Sequence, residues 1–312
     1  MEKKLPPAFV ISSEVDRAMQ RGLPIVALES TVITHGLPYP DNLTLAEDME
    51  AALRSLGVTP ATIAVIEGRV HEGLQPAELH SLATGGESLL KISQRDFAPA
   101  IARLASGGTT VAGTLYAAHQ AGIQVSATGG IGGVHYILDR KPSCASDVSA
   151  DLPALASTPM VVVCAGAKAI LDLRATLEYL ETWGVPVLGY RSDDFPAFYA
   201  RSSGYRLAVR VDAPEDVALL ARTHWDLGLH SAVLVTVPPP EEYAMSPREV
   251  KRAVSQALTE ASEAKISGQA VTPFLLDRLR QLTGGESLRA NVGLLVNNAQ
   301  VAGEIALAMH AR

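Results

Sequence analysis

Seven short runs rich in Val, Ile, Ala and Thr recur along the chain and restrict its fold more than any other feature. They are PIVALEST (24–31), ATIAVIEG (61–68), GTTVAGT (108–114), IQVSATGG (123–130), MVVVCAG (160–166), VPVLGY (185–190) and HSAVLVTV (230–237). Most are apolar at successive positions, so each strand is to be buried on both faces, as in a parallel sheet covered on two sides. Between them lie segments with helical spacing: LTLAEDMEAALRSLG, RDFAPAIARLASG, AKAILDLRATLEYLETWG and APEDVALLARTHWDLG. Several end on a glycine suited to the position just past a helix. The alternation predicts an α/β layered fold with a largely parallel central sheet. From Ser246 onward the pattern is helical, and no Ser/Gly/Pro-rich linker sets it apart, so residues 1–312 are expected to form one domain with a helical C-terminal region. The hexapeptide TGGESL occurs at 84–89 and 283–288 with unrelated flanks, which reads as two similar turns rather than a repeat.

Charge narrows the function. With 33 acidic and 26 basic side chains the net charge is -7, which leaves no basic field to gather nucleic acid or an anionic membrane. An anionic metabolite would need a concentrated local site of lysine, histidine or backbone N–H groups. Two cysteines, Cys144 and Cys164, are too few for a disulfide framework, and Cys164 lies in an apolar run, as in a protein of a reducing compartment. The N-terminal MEKKLPPAFVISSEVDRAMQ has no continuous apolar stretch, and nowhere do about 18 apolar residues run uninterrupted, so a cytoplasmic protein is expected.

Chemistry concentrates at the carboxyl ends of the strand-like runs, where open α/β sheets bind ligands. In SATGGIGGVH (126–135) four glycines let the backbone approach a ligand, and the N–H groups of 129–133 are expected to cradle an anion, with Thr128, Gly129, Gly130 and His135 as contacts. The run is not GxGxxG, which argues against a dinucleotide site. Lys168 follows MVVVCAG and is expected in the first turn of a helix, where the helix N-terminus and desolvation both disfavour an ammonium and leave an amine able to attack an anomeric carbon. Glu29 closes PIVAL; a carboxyl among apolar neighbours holds its proton to higher pH and can act as a general acid. The same position could instead cap the next turn, and Lys91 in LLKISQRD is either a site lysine or a surface ion pair. Asp147, Ser149 and Asp151 alternate in SDVSADL and would share one face of an extended strand, as a Mg²⁺ or Mn²⁺ site would want, or else form a turn and helix cap. Histidines show no zinc-binding spacing.

These motifs also carry a resemblance. VALESTVITHG (26–36), KISQRD (91–96), ATGGIGGVH (127–135), DVSADL (147–152), VVVCAGAKAILDLRATLEYLET (161–182), TPFLL and TGGESLRANVGLLVNNA (to 299) resemble the pseudouridine-5′-phosphate glycosidases of the indigoidine synthase A-like family across nearly the whole chain. The resemblance implies a homotrimeric α/β/α sandwich that uses a divalent metal, typically Mn²⁺, one per subunit. It implies reversible cleavage of the C–C glycosidic bond of pseudouridine 5′-phosphate to uracil and ribose 5-phosphate. Lys168 becomes the covalent nucleophile and Glu29 the proton donor. Lys91, Val111, Ser149, Ala150 and Asp151 become substrate contacts, His135 and Asn291 further pocket residues, and Asp147 the metal ligand. The segment YILDRKPSCAS (136–146) is longer than the family pattern, which bears on the loop entering the metal site. A bond to uracil C5 has no heteroatom leaving group to protonate, so ordinary acid-assisted departure does not apply; an imine of Lys168 at the anomeric carbon, with protonation of C5, does. The competing readings are a Schiff-base lyase or aldolase acting on another sugar phosphate, and a non-catalytic ribose-phosphate binding protein.

Overall fold

The computed structural model describes residues 5–136, 147–266 and 271–311. Thirteen strands form there: β1 (Phe9–Ile11), β2 (Ile25–Leu28), β3 (Thr59–Ile66), β4 (Arg69–Glu72), β5 (Leu90–Ile92), β6 (Gly107–Thr109), β7 (Val125–Ala127), β8 (Val134–His135), β9 (Val161–Cys164), β10 (Leu171–Asp172), β11 (Val187–Tyr190), β12 (Val209–Val211) and β13 (Val233–Thr236). The main sheet runs β1-β4-β3-β2-β7-β9-β13-β11-β12, with β6 joined to β3 and β5 to β6. Every neighbouring pair is parallel except β3–β4 and β3–β6. Strands β8 and β10 make a small separate antiparallel ladder.

The central strands β2, β7, β9 and β13 are buried along their whole length, which is why their sequences lack the polar alternation of a half-exposed strand. Helix Glu286–His310 lies against β2, β7 and β9, and helix Val111–Ala121 against β2, β3 and β4. The result is an α/β/α sandwich. One contiguous core reaches from Val15 to Ala306 and takes in Leu275 and Leu294 of the C-terminal helices. Helix Glu286–His310 has the length and mean hydropathy (1.3) of a membrane span, yet Leu294, Leu295, Ala302 and Ile305 are buried in this core, so its apolarity is accounted for by packing inside the protein.

Two sequence expectations fail here. The run at 108–114 is strand only to Thr109; the Thr110 side chain accepts the Gly113 N–H at 3.3 Å and starts the helix Val111–Ala121. The segment from Ala167 is not helical until Leu173, where Asp172 caps the helix Leu173–Thr182 by accepting the Ala175 N–H at 3.0 Å. Residues 167–171 instead form a buried connection in which Ala167 bridges to Ile131. Ala167, Ala169, Ile170 and Leu171 are all buried, and a connection buried at these positions needs apolar residues there, which mimics helical spacing. Strands β1, β4, β5 and β12 gave no signal because they are short, and β4, β5 and β12 also carry exposed or charged positions.

Glu72 ends β4 fully buried, and neither carboxylate oxygen has a hydrogen-bond partner. Burial pushes its pKa from 4.5 up to about 8. Below pH 4.5 the group is neutral folded and unfolded and costs nothing differential. Between 4.5 and 8 only the unfolded carboxyl ionises, which drains stability by about 1.4 kcal/mol per pH unit, roughly 5 kcal/mol in all. Glu72→Met is therefore expected to raise the denaturant midpoint increasingly as pH goes from 5 to 8. An equal gain at both ends of that range would show that Glu72 titrates normally.

Candidate active site

Three adjacent parallel strands, β2, β7 and β9, end at the same edge of the sheet, and each delivers part of one cluster. Glu29 leaves β2, Thr128 to Gly130 leave β7, and Gly166 to Lys168 leave β9. Parallel neighbours put their carboxyl ends side by side, so residues separated by up to 139 positions meet without any long-range sequence signal. From the far side, β5 brings Lys91 in register with Gly108 of β6. The Thr109 N–H donates to Ser30 Oγ at 2.9 Å, which ties the start of helix Val111–Ala121 to the turn carrying Glu29.

Glu29 is buried, and the Thr128 hydroxyl donates to its Oε1. Burial holds its carboxyl above the usual carboxylate range; Lys168, the Thr128 hydrogen bond and Lys91 pull it partly back, while Asp151 adds to the rise. The Lys91 ammonium is destabilised first by the protein crowded around it and then by Lys168, against the favourable charges of Asp151 and Glu29. Lys168 is half-buried, its N–H donating to Ile131 C=O at 3.1 Å. It sits in a loop and not in the first turn of a helix, so the helix-end argument for a neutral amine does not apply. Cys164, on the same strand end, is buried with its thiol pushed up to about 12, which removes it as a nucleophile.

The glycine run is not the open anion loop expected. Residues 126–134 are buried. The Ile131 N–H donates to Gly166 C=O at 3.0 Å and the Gly132 N–H to Asp151 Oδ2 at 2.8 Å, so two of the five N–H groups assigned to an anion are already paired. Close packing demands the glycines: a Cβ on Gly130 would lie 2.5 Å from the Phe198 ring, and one on Gly132 2.1 Å from Ser149 Oγ.

Asp151 is buried and structural in its bonds, its Oδ1 accepting the Ala112 N–H at 2.9 Å and so clamping the glycine run to the start of the helix headed by Val111. Ser149 sends its N–H to Gly133 C=O at 3.0 Å and accepts the Asp151 N–H at 3.2 Å; Ala150 is exposed and precedes helix Asp151–Ser157. The chain turns into that helix, so Asp147, Ser149 and Asp151 do not form the single extended face considered from sequence. Asp147 is exposed, its C=O accepts the His135 N–H at 2.9 Å, and its charge favours the protonated imidazole. Burial first, then Lys91 and Lys168, hold the His135 ring below the usual histidine range, and Asp147 opposes them. Asn291 is half-buried on helix Glu286–His310; no described hydrogen bond joins it to the cluster. The segment 137–146, including Cys144, lies outside the described residues. Sequence reasoning missed Phe198, in a left-handed conformation (φ 61°) against Gly130, and Asn298, whose amide touches the Thr128 backbone. The doubled Asn in LLVNNA was the one available signal for the second.

A buried carboxyl and two lysines at the carboxyl edge of a parallel sheet, walled by close-packed glycines, define an α/β enzyme equipped for amine nucleophile and proton-transfer chemistry. The chain belongs to the indigoidine synthase A-like family, whose model matches residues 14–308. It is 47% identical over 300 residues to a pseudouridine-5′-phosphate glycosidase of Caldanaerobacter subterraneus subsp. tengcongensis, covering 96% of each chain. It is 50% identical over 298 residues to another of Symbiobacterium thermophilum, again with 96% of each covered. Among solved structures it resembles the prealnumycin C-glycosynthase AlnA in complex with ribulose 5-phosphate, with a TM-score of 0.89, 38% identity and 98% of both chains covered. An indigoidine synthase A-like protein from Thermotoga maritima superposes with a TM-score of 0.87 at 33% identity, covering 99% of both.

Proposed function

We propose that the chain reversibly cleaves the C–C glycosidic bond of pseudouridine 5′-phosphate to uracil and ribose 5-phosphate through a lysine imine. The observation that carries this reading is the buried Glu29 carboxyl, its pKa raised by burial, within electrostatic reach of Lys168 at the same edge of the sheet. The names of the curated relatives support the substrate. So does the ligand of AlnA, since a pentulose phosphorylated at O5 has no hydroxyl placed to close a furanose, and an acyclic sugar phosphate is what an opened ribose becomes.

In this mechanism the Lys168 amine attacks C1′, the C1′–O4′ bond breaks, and O4′ takes up a proton. Glu29 then gives its proton to uracil C5 as the lysine nitrogen's lone pair forms C1′=N and the C1′–C5 bond breaks. Uracil leaves neutral. Water adds to the iminium, the C–N bond breaks, and ribose 5-phosphate departs, regenerating the amine; Glu29 is reprotonated from solvent. Lys91, with charge unspent on any ion pair described here, supplies attraction for the phosphate or an anionic uracil oxygen. His135, Val111, Thr128, Gly129, Gly130, Ser149, Ala150, Asp151 and Asn291 complete the pocket in this reading, Thr128 and Asp151 acting through the groups they hold.

Asp147 is the residue that would hold a divalent cation. Among the described residues no three His, Cys, Asp or Glu side chains gather around one point, so a soft, fully enclosed metal is not accommodated. One exposed carboxylate suits a hard ion such as Mn²⁺ that keeps most of its waters, and such an ion supplies positive charge to a phosphorylated substrate. A homotrimer in the cytoplasm belongs to the same reading. The test is uracil release from pseudouridine 5′-phosphate, with and without metal. Chelation is expected to abolish turnover and Mn²⁺ to restore it; full activity after exhaustive metal removal would reject the role of Asp147. Turnover of ketose phosphates with no uracil release would favour the sugar-phosphate lyase that the AlnA ligand makes the second reading.

A further inference from the structure

Asn298 lies in the interior of helix Glu286–His310, fully buried, and no motif considered above assigns it a role. Its Nδ2 donates to Thr128 C=O at 2.9 Å and lies 3.4 Å from Gly129 C=O, while its Oδ1 has no partner. A half-satisfied amide in a helix core is a liability that an apolar side chain would avoid. What it secures is Thr128. The Thr128 N–H donates to Val163 C=O at 3.0 Å, and Gly129 C=O also accepts the Ala165 N–H at 2.9 Å, so with Asn298 the main chain is pinned from β9 on one side and from the helix on the other. From the backbone so held, the threonine hydroxyl donates to Glu29 Oε1. Because Oε1 accepts that hydrogen, the carboxyl's own proton belongs on Oε2.

We propose that Asn298 is a positioning residue for proton transfer: acting through Thr128, it orients the Glu29 carboxyl so that Oε2 carries the proton delivered to the leaving base. The inference rests on the reading of Glu29 as proton donor given above. Around Glu29 the charged groups are Lys168 and Lys91, which favour its carboxylate, and Asp151, which opposes it; the Thr128 hydroxyl also favours the carboxylate. Losing that hydroxyl contact removes a stabiliser of the charged form, so Glu29 would lose its proton at higher pH. The alkaline limb of the kcat profile, where the acid is lost, would move the same way.

The experiment compares Asn298→Leu, Thr128→Val and Thr128→Ser in the full chain. Each is checked for a cooperative thermal transition. Asn298→Leu is expected to lower kcat for uracil release roughly 10–100-fold, less than the roughly 10²–10⁴-fold worth of the acid itself because the acid remains, with KM within about threefold of wild type. The alkaline limb should shift upward, and borohydride should still trap sugar on Lys168. Thr128→Val should behave alike, Thr128→Ser should recover most activity, and the Asn298→Leu/Thr128→Val double variant should be no worse than Thr128→Val alone, because the two act in one chain. A folded Asn298→Leu with an unchanged profile, or a doubly additive loss, would overturn the proposal. Carboxyl ¹³C titration of Glu29, assigned by its absence in Glu29→Gln, keeps the two readings separable. If wild type releases no uracil, the proposed function fails, while an upward shift of the Glu29 titration in Asn298→Leu would still establish the coupling and an unchanged titration would refute it.

Discussion

Replacing Lys168 by Ala is expected to reduce uracil release by roughly 10⁴-fold or more, because it removes the bond-forming atom rather than one contact among several. Lys91 is not expected to substitute. It stands on β5, across the pocket from β9, and the bond to C1′ must form where the ring oxygen can depart. Borohydride added during turnover reduces an imine to a stable amine, so wild type should carry one sugar phosphate on Lys168, located by mass spectrometry of the digested protein. Substantial turnover by Lys168→Ala, or a trapped sugar on Lys91, would move the nucleophile.

Glu29→Gln is the second large effect. The amide keeps the shape and can still accept from Thr128, but has no proton to transfer. Uracil release should fall about 10²–10⁴-fold, the usual worth of a positioned acid. The lysine adduct should still form, because attack at C1′ precedes proton delivery to C5, so borohydride trapping in the variant should persist or increase. That combination separates the two roles: loss of Lys168 removes the adduct, and loss of Glu29 strands it. Near-normal release from Glu29→Gln would leave the lysine in place and pass the proton donor's role to His135. Burial and the two lysines keep the His135 ring uncharged to lower pH than usual, so release carried by His135 would rise toward acid pH.

Much of this site could be read from sequence because strand ends are local. An apolar run followed at once by Glu29, by Thr128 and glycines, or by Ala167 and Lys168 locates each group at a sheet edge whatever the order of the strands. The helix expected around Lys168 was illegible for a related reason. Burial demands apolar residues at 167 and 169–171 much as a helix does, and the bridge of Ala167 to Ile131 distinguishes the two. The glycine run is packed more closely than an open anion loop, with the Ile131 and Gly132 N–H groups already paired. Its glycines yield to Phe198 and Ser149, partners 68 and 17 residues away, and nothing within the run names them.

Composition and hydrophobic pattern, read from the chain alone, determined a mostly parallel α/β sheet and the residues able to do chemistry, since side-chain type and strand burial are properties of short segments. Tertiary structure alone decided which of them meet. The order β3-β2-β7-β9 sets Glu29, Thr128 and Lys168 on neighbouring strands. Asp151 is spent on the Ala112 and Gly132 N–H groups and not held for a metal, and Asn298 reaches Thr128 across 170 residues of chain. Strand order and helix docking are settled by burial summed over the whole core, a quantity no local window contains, and the same burial is what lifts the Glu29 carboxyl above the usual carboxylate range.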